Sequence, residues 1–336
     1  MRRLGFVDTV KGIAIICVVL GHIANGYLNS KIVSDTAVYQ HIYNIVYSFH
    51  MPLFFLISGF VFSHSYIKTD ATIDQGRIKG QICNLAYVYF LFSVIMGISK
   101  MVLGKFVNEP TNLMDILCIP VIPIQLYWYL YVLIFYYLIT YTLIRRRIEY
   151  KFVLFIAFVI SIFSYYLESG LIFDLKRLLY YYIFFWVGVY RAQEQSFAMI
   201  ENVIIRRIII SFSVLALSVS IINNINLCNI FVVNILVGLI ISIAIFDIFE
   251  WKLYGGNLKL SFIGRNSMVI YLIHSYILTV LRVLFDKLNI DNVFIILTVG
   301  MLLGVGGPIL FAIFSKKCGF YNYLFSIKAV KNSNYV

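Results

Sequence analysis

Three side chains stand out in the run FVDTVKGIAIICVVLGH, Phe6 to His22: Asp8, Lys11 and His22 interrupt a stretch otherwise apolar enough to cross a membrane. On a helix, Lys11 and His22 fall about 20° apart around the axis and about 16 Å apart along it. Asp8 neighbours Lys11 at i,i+3. One stripe therefore carries Asp8, Lys11, Ile15, Val18 and His22. Imidazole exchanges a proton near neutral pH, so His22 is suited to take the proton of a hydroxyl or, as a nucleophile, to carry an acyl group transiently. Lys11 could attract anionic groups, and Asp8 could orient Lys11. Each residue also has a structural explanation. A lysine near a helix end snorkels to the headgroups, and a lone histidine can hydrogen-bond inside a bundle. Together on one face they fit the lining of a polar cavity, because ionisable groups inside a membrane are costly and mark function.

Further polar points lie in YSFHMPLFFLISGFVFSH, where His50 precedes Pro52. The proline kinks the helix and frees a carbonyl that His50 or a water could satisfy. Ser58-Gly59 allows close helix packing. In LSFIGRNSMVIYLIHSY, residues Ser267, Tyr271 and His274 recur at helical spacing, a second polar stripe. His274 reads equally as a structural hydrogen bonder and as a site residue. Trp128, in LYWYL, suits an aromatic belt at the membrane interface. Arg77 and Lys79 form a basic pair that either reports topology or holds a phosphorylated donor.

The elements that position these residues follow from composition. The 336 residues are 62% hydrophobic and 12% charged, whereas a soluble domain is roughly half apolar and a quarter charged. This predicts an all-α, polytopic transmembrane bundle of about ten spans. They run over about 9–28, 43–65, 84–103, 126–144, 152–167, 178–190, 207–223, 230–248, 267–285 and 293–314. The net charge of +12 is not a nucleic-acid signal. Alternate loops carry 19 Lys and Arg against 5 in the other set, and three more (Lys11, Lys100, Arg282) lie in or at spans. That asymmetry places both termini in the cytoplasm. Met1-Arg2-Arg3 ahead of the first span resembles a secretory leader, but the polar residues of that span favour an uncleaved helix. The five cysteines are scattered, with no metal or redox spacing. Residues 1–318 read as one membrane domain and 319–336 as a short cytoplasmic tail.

These motifs resemble the acyltransferase-3 family of integral membrane acyltransferases, in particular the branch that O-acetylates bacterial surface glycans. The basic residue, ten residues and histidine from Lys11 to His22 match the family's first helix. FHMPLFFLISGF, Phe49 to Phe60, is similar to its second-helix signature, and IGRNSMVIYLIH, Ile263 to His274, to a late-helix one. The similarity extends over nearly the whole chain. Many members carry Arg where this chain has Lys11. One branch has a Glu at the position of Leu133. No proline follows Arg77 and Lys79 before Tyr87.

The resemblance implies acetyl-CoA as a cytoplasmic donor substrate, with no bound cofactor or metal. The implied acceptor is a hydroxyl of a polysaccharide or its lipid-linked precursor (O-antigen, capsule or exopolysaccharide), reached from the bacterial inner membrane. It gives His22 and Lys11 catalytic roles and makes Arg77 and Lys79 donor-binding residues; the reading of the residues themselves adds Asp8 to the catalytic group and His50, Ser58, Trp128 and His274 to the substrate- or donor-binding one. Partners are then acetyl-CoA, the glycan and membrane lipid, not nucleic acid; the sequence leaves the oligomeric state open. A proton-coupled transporter or exporter of a glycan is the alternative, since buried His and Lys suit that too; the chain lacks the repeated, broken-helix halves common in carriers. The charge asymmetry gives a direct expectation: a reporter fused after Lys331 reads cytoplasmic, and a periplasmic reading overturns the orientation.

Overall fold

A backbone in lipid must satisfy its own hydrogen bonds, so apolar segments of this length can only be helices here. The computed structural model describes residues 4–30, 36–68, 72–104, 110–168, 172–193, 231–252 and 257–327. Among these the order is α1 (Gly5–Leu28), α2 (Ala37–Tyr66), α3 (Gln75–Val102), α4 (Leu113–Leu117), α5 (Trp128–Arg145), α6 (Tyr150–Phe163), α7 (Leu175–Gln193), α8 (Phe231–Lys252), α9 (Leu258–Arg265), α10 (Ser267–Lys287), α11 (Val293–Lys317) and α12 (Tyr321–Phe325).

Among the described residues, seven helices are long and apolar enough to cross a membrane: α1, α2, α3, α5, the Val232–Glu250 part of α8, α10 and α11. The span expected over about 207–223 lies outside the described residues. Of the other two expected spans, α6 has only 14 residues. α7 carries Lys176, Arg177 and Arg191 within its 19 residues. Neither is among the seven.

Helices also run past their apolar cores. α3 starts at Gln75 because Asp74 caps it, accepting the Arg77 backbone N–H at 3.1 Å. Arg77 and Lys79 are therefore helical. Asn257 caps α9 in the same way, accepting from Lys259 and Leu260 at 3.1 Å each. The apolar pattern alone gave no sign of that short helix.

The chain divides into two compact units. The first holds residues 1–57 and 194–311. Its centre is α1, with Val10, Ala14, Ile15, Val19 and Ala24 fully buried. Phe6 meets Phe246 of α8 edge-on at 5.5 Å. The closest approach is to α9. A Cβ on Gly12 would lie 2.2 Å from the Leu260 carbonyl oxygen, and one on Gly264 would lie 1.8 Å from that of Asp8. No side chain larger than hydrogen fits either place, so the two backbones touch. Hydroxyls lock the contact: Thr9 and Ser261 share a hydrogen bond of 2.8 Å, and the Asn257 N–H donates to Thr9 Oγ1 at 2.9 Å.

The second unit holds residues 58–193 and 312–336. Gly59 of α2 lies against the backbone of α7, where an added Cβ would fall 1.8 Å from the Phe185 carbonyl. This is the close packing expected of Ser58-Gly59. Polar side chains tie neighbouring helices. Tyr136 donates to the Leu178 carbonyl at 2.8 Å, Ser161 to that of Tyr180 at 2.7 Å, and the Trp186 indole to that of Tyr150 at 2.9 Å. Residues 320–327 fold onto α3. Tyr87 donates to the Tyr323 carbonyl at 2.5 Å, and Asn84 accepts the Ile327 N–H at 3.0 Å while donating to the Phe325 carbonyl at 3.4 Å. Phe325 stacks on Phe92 at 5.5 Å.

Gly264→Ala forces α9 off α1 and should cost about 1–3 kcal/mol. The thermal unfolding midpoint in detergent should fall accordingly. Gly26→Ala, whose Cβ meets nothing within 4 Å, should leave it unchanged. An unchanged midpoint for Gly264→Ala would refute the contact.

Candidate active site

The first unit brings together three histidines that are far apart in sequence. His22 of α1 lies beside His274 of α10, ring centroids 5.1 Å apart and planes inclined 47°. Tyr47 of α2 meets His22 edge-on at 6.4 Å, and meets His50 edge-on at 4.7 Å. Tyr43 stacks on Tyr47 at 4.0 Å. The result is a patch of three imidazoles and two phenols contributed by three helices.

The two outer imidazoles are fixed alike. Nδ1 of His50 lies 2.7 Å from the Val46 carbonyl, and Nδ1 of His274 lies 2.8 Å from that of Ile270, each one helical turn back. A carbonyl oxygen only accepts, so Nδ1 carries the proton in both rings and Nε2 holds a lone pair. His50 thus serves the Val46 carbonyl rather than that of Ser48, the one that Pro52 deprives of its usual donor. Both rings are buried, with exposures of 3% and 0%. His22 is half-buried, and its ring makes no hydrogen bond among the described residues.

The stripe on α1 is polar at its ends only. Asp8 is buried and Lys11 half-buried, but Ile15 and Val18 between them and His22 are packed in apolar surroundings. Asp8 sits at the α1–α9 contact, its carbonyl against Gly264. The pair Lys11 and His22 is therefore set by α9 at one end and by α10 and α2 at the other.

The remaining candidates belong to the second unit. Ser58 shares a hydrogen bond of 2.6 Å with the Tyr129 hydroxyl. Trp128 carries the Arg177 guanidinium over its ring at 4.8 Å and faces Tyr181 at 5.2 Å. Arg177 is held by Asp174 at 2.9 Å. The turn before it is strained, with positive φ at both Phe173 (62°) and Asp174 (49°). The Phe173 N–H is anchored on the Val121 carbonyl at 2.9 Å. Trp128 is thus part of a built cation–aromatic arrangement, more than a belt residue. Arg77 lies over the Tyr66 ring at 5.8 Å. Arg77 and Lys79 are both exposed, and two positions apart on a helix they face away from each other, about 200° apart.

Sequence reasoning passed over Tyr47, Gly264, Tyr129 and Arg177. Tyr43, Tyr47 and His50 follow i,i+4,i+7 spacing, a signal that was present but lost among 26 tyrosines. Gly264 had no local signal, because its partner Asp8 is remote in the chain, and the placement of Arg177 over Trp128 likewise joins distant positions.

A family model described as an acyltransferase domain, the acyltransferase-3 type, matches residues 4–313. The chain belongs to the acyltransferase-3 family. No curated protein and no solved structure matches it. With seven membrane-competent helices, this family member is a multi-pass membrane acyltransferase. The matched region contains His22, His50 and His274, along with every other candidate residue named above.

Proposed function

We propose that this acyltransferase moves an acetyl group from cytoplasmic acetyl-CoA to a hydroxyl of a cell-surface polysaccharide or its lipid-linked precursor. In this reading it lies in the bacterial inner membrane, with about ten spans and both termini in the cytoplasm. The observation that carries it is His22. It is an imidazole with no hydrogen bond among the described residues, grouped with two neutral-type imidazoles and a phenol inside membrane-spanning helices.

Ester formation from a thioester needs a base to receive the hydroxyl proton. The acceptor oxygen attacks the thioester carbonyl while His22 takes its proton. The tetrahedral intermediate then collapses, the carbon–sulfur bond breaks, and the sulfur leaves with the proton returned by His22. The products are the acetyl ester and free CoA thiol, and His22 ends as it began. Lys11, Arg77 and Lys79 offer cations for the donor phosphates, and Asp8 is positioned to orient Lys11. Trp128 presents an aromatic face and Ser58 a hydroxyl for the acceptor.

His22→Gln keeps hydrogen bonding but removes the base. Labelled acetyl transfer by the purified protein should drop about a hundredfold or more, with normal membrane levels. Near-normal transfer by this variant would remove His22 from the chemistry. On the donor side, replacing both Arg77 and Lys79 by Gln should weaken acetyl-CoA binding about tenfold or more without disturbing insertion. Arg77→Gln alone should account for most of it, since Arg77 is ordered over Tyr66 and Lys79 points elsewhere. Unchanged donor affinity would reduce the pair to a topology signal.

A further inference from the structure

Among the described residues of the first unit, one of the buried polar atoms without a hydrogen-bond partner is a histidine nitrogen. His274 is fully buried, its Nδ1–H is committed to the Ile270 carbonyl at 2.8 Å, and its Nε2 has no hydrogen-bond partner among the described residues. A buried acceptor in that state costs about 1–3 kcal/mol, so a group placed there needs a reason. A leucine would fill the space without that cost. The neighbouring ring is His22, 5.1 Å away centroid to centroid. Two imidazoles joined by an in-line N–H···N bond of about 2.9 Å have centroids about 5 Å apart. The centroid separation is thus close to that of a hydrogen-bonded pair, while Nε2 of His274 makes no bond in the arrangement described. His22 is half-buried and can turn about its Cβ–Cγ bond; His274, tied to its own helix, cannot.

We propose that His274 is a positioning residue for His22: its Nε2 lone pair accepts the N–H of His22 and so dictates which His22 nitrogen carries the proton. The other nitrogen is then left bare to meet the acceptor hydroxyl. The inference rests on His22 as the base. It also explains why the partner is a histidine. When His22 has taken the hydroxyl proton, its bond to His274 becomes charge-assisted, and such bonds are shorter and stronger. The interaction is therefore strongest after proton abstraction has begun, which raises turnover rather than substrate affinity. His50 has Tyr47 as its ring neighbour in the patch, and Tyr47 also meets His22.

Two substitutions separate this role from a structural one. His274→Gln places an amide oxygen near the position of Nε2, whereas His274→Asn can keep the bond to Ile270 but has nothing at Nε2. Labelled acetyl transfer by the purified proteins should give a kcat for His274→Asn lower by about ten- to a hundredfold, the effect of losing one hydrogen bond to a charged group. Its KM for acetyl-CoA should stay near that of the wild type. His274→Gln should recover most of the loss. Wild-type turnover by His274→Asn would overturn the proposal, leaving the ring only its bond to α10. Equal inactivity of both variants at normal membrane levels would overturn it too, since an acceptor oxygen would then not suffice. If His274→Asn fails to accumulate, 15N-histidine spectra of the wild-type protein decide. The His22 signals, assigned by their loss in His22→Gln, should report one tautomer, and a mixture refutes the dyad. An active His22→Gln would overturn the base itself, whereas an inactive one beside an active His274→Asn would overturn only this inference.

Discussion

The contact of α1 with α9, backbone against backbone, governs the first unit. Gly12 and Gly264 remove the side chains from both surfaces, and the Leu260 and Asp8 carbonyls come to rest where Cβ atoms would otherwise be. Without a hydrophobic drive between helices in lipid, such close packing and shared hydrogen bonds are what hold them together. Thr9, Ser261 and Asn257 supply those bonds. The contact fixes the depth and rotation of α1, and a helix is stiff. The place of His22, ten residues beyond Gly12, follows from it, as does the ring that His274 presents one short turn beyond α9.

Polar side chains inside the spans repeatedly solve one problem in the same way. A group that cannot reach water is given to a backbone carbonyl. His50 and His274 turn Nδ1 to their own helices; Tyr136, Ser161 and Trp186 reach to neighbouring ones. For an imidazole it leaves a second nitrogen on the far side of the ring. Histidine can thus be anchored like a structural residue by one nitrogen and still offer a basic nitrogen on the other.

Much of this was readable from the residues. The all-helical, multi-pass class came from apolar runs and sparse charge, and α1, α2, α3, α5, α8, α10 and α11 fall on predicted spans. The motif at Lys11 and His22 led to the family that the match over residues 4–313 shows. Periodicity also ranked His22, His50 and His274 as candidates, but it could not group them, because it knows one helix at a time. Ile15 and Val18 share the stripe of Asp8, Lys11 and His22 by angle, and both are buried, which the pattern of a single helix does not show. Helix starts were misplaced where a cap, not hydrophobicity, sets the boundary, as at Asp74 and Asn257. The short α9 was missed because eight residues with Lys259 and Arg265 carry too little apolar signal to stand out.

The bond between Thr9 and Ser261 spans 252 positions, and that between Asn84 and Phe325 spans 241. During synthesis the first helix enters the membrane long before the segment that will grip it exists. Until then it must hold Asp8, Lys11 and His22 in lipid without their final surroundings. The same delay applies to α3, whose partner Phe325 lies 241 positions after Asn84. Each unit is therefore closed by late-made chain, and assembly of both is a step that follows insertion rather than accompanying it.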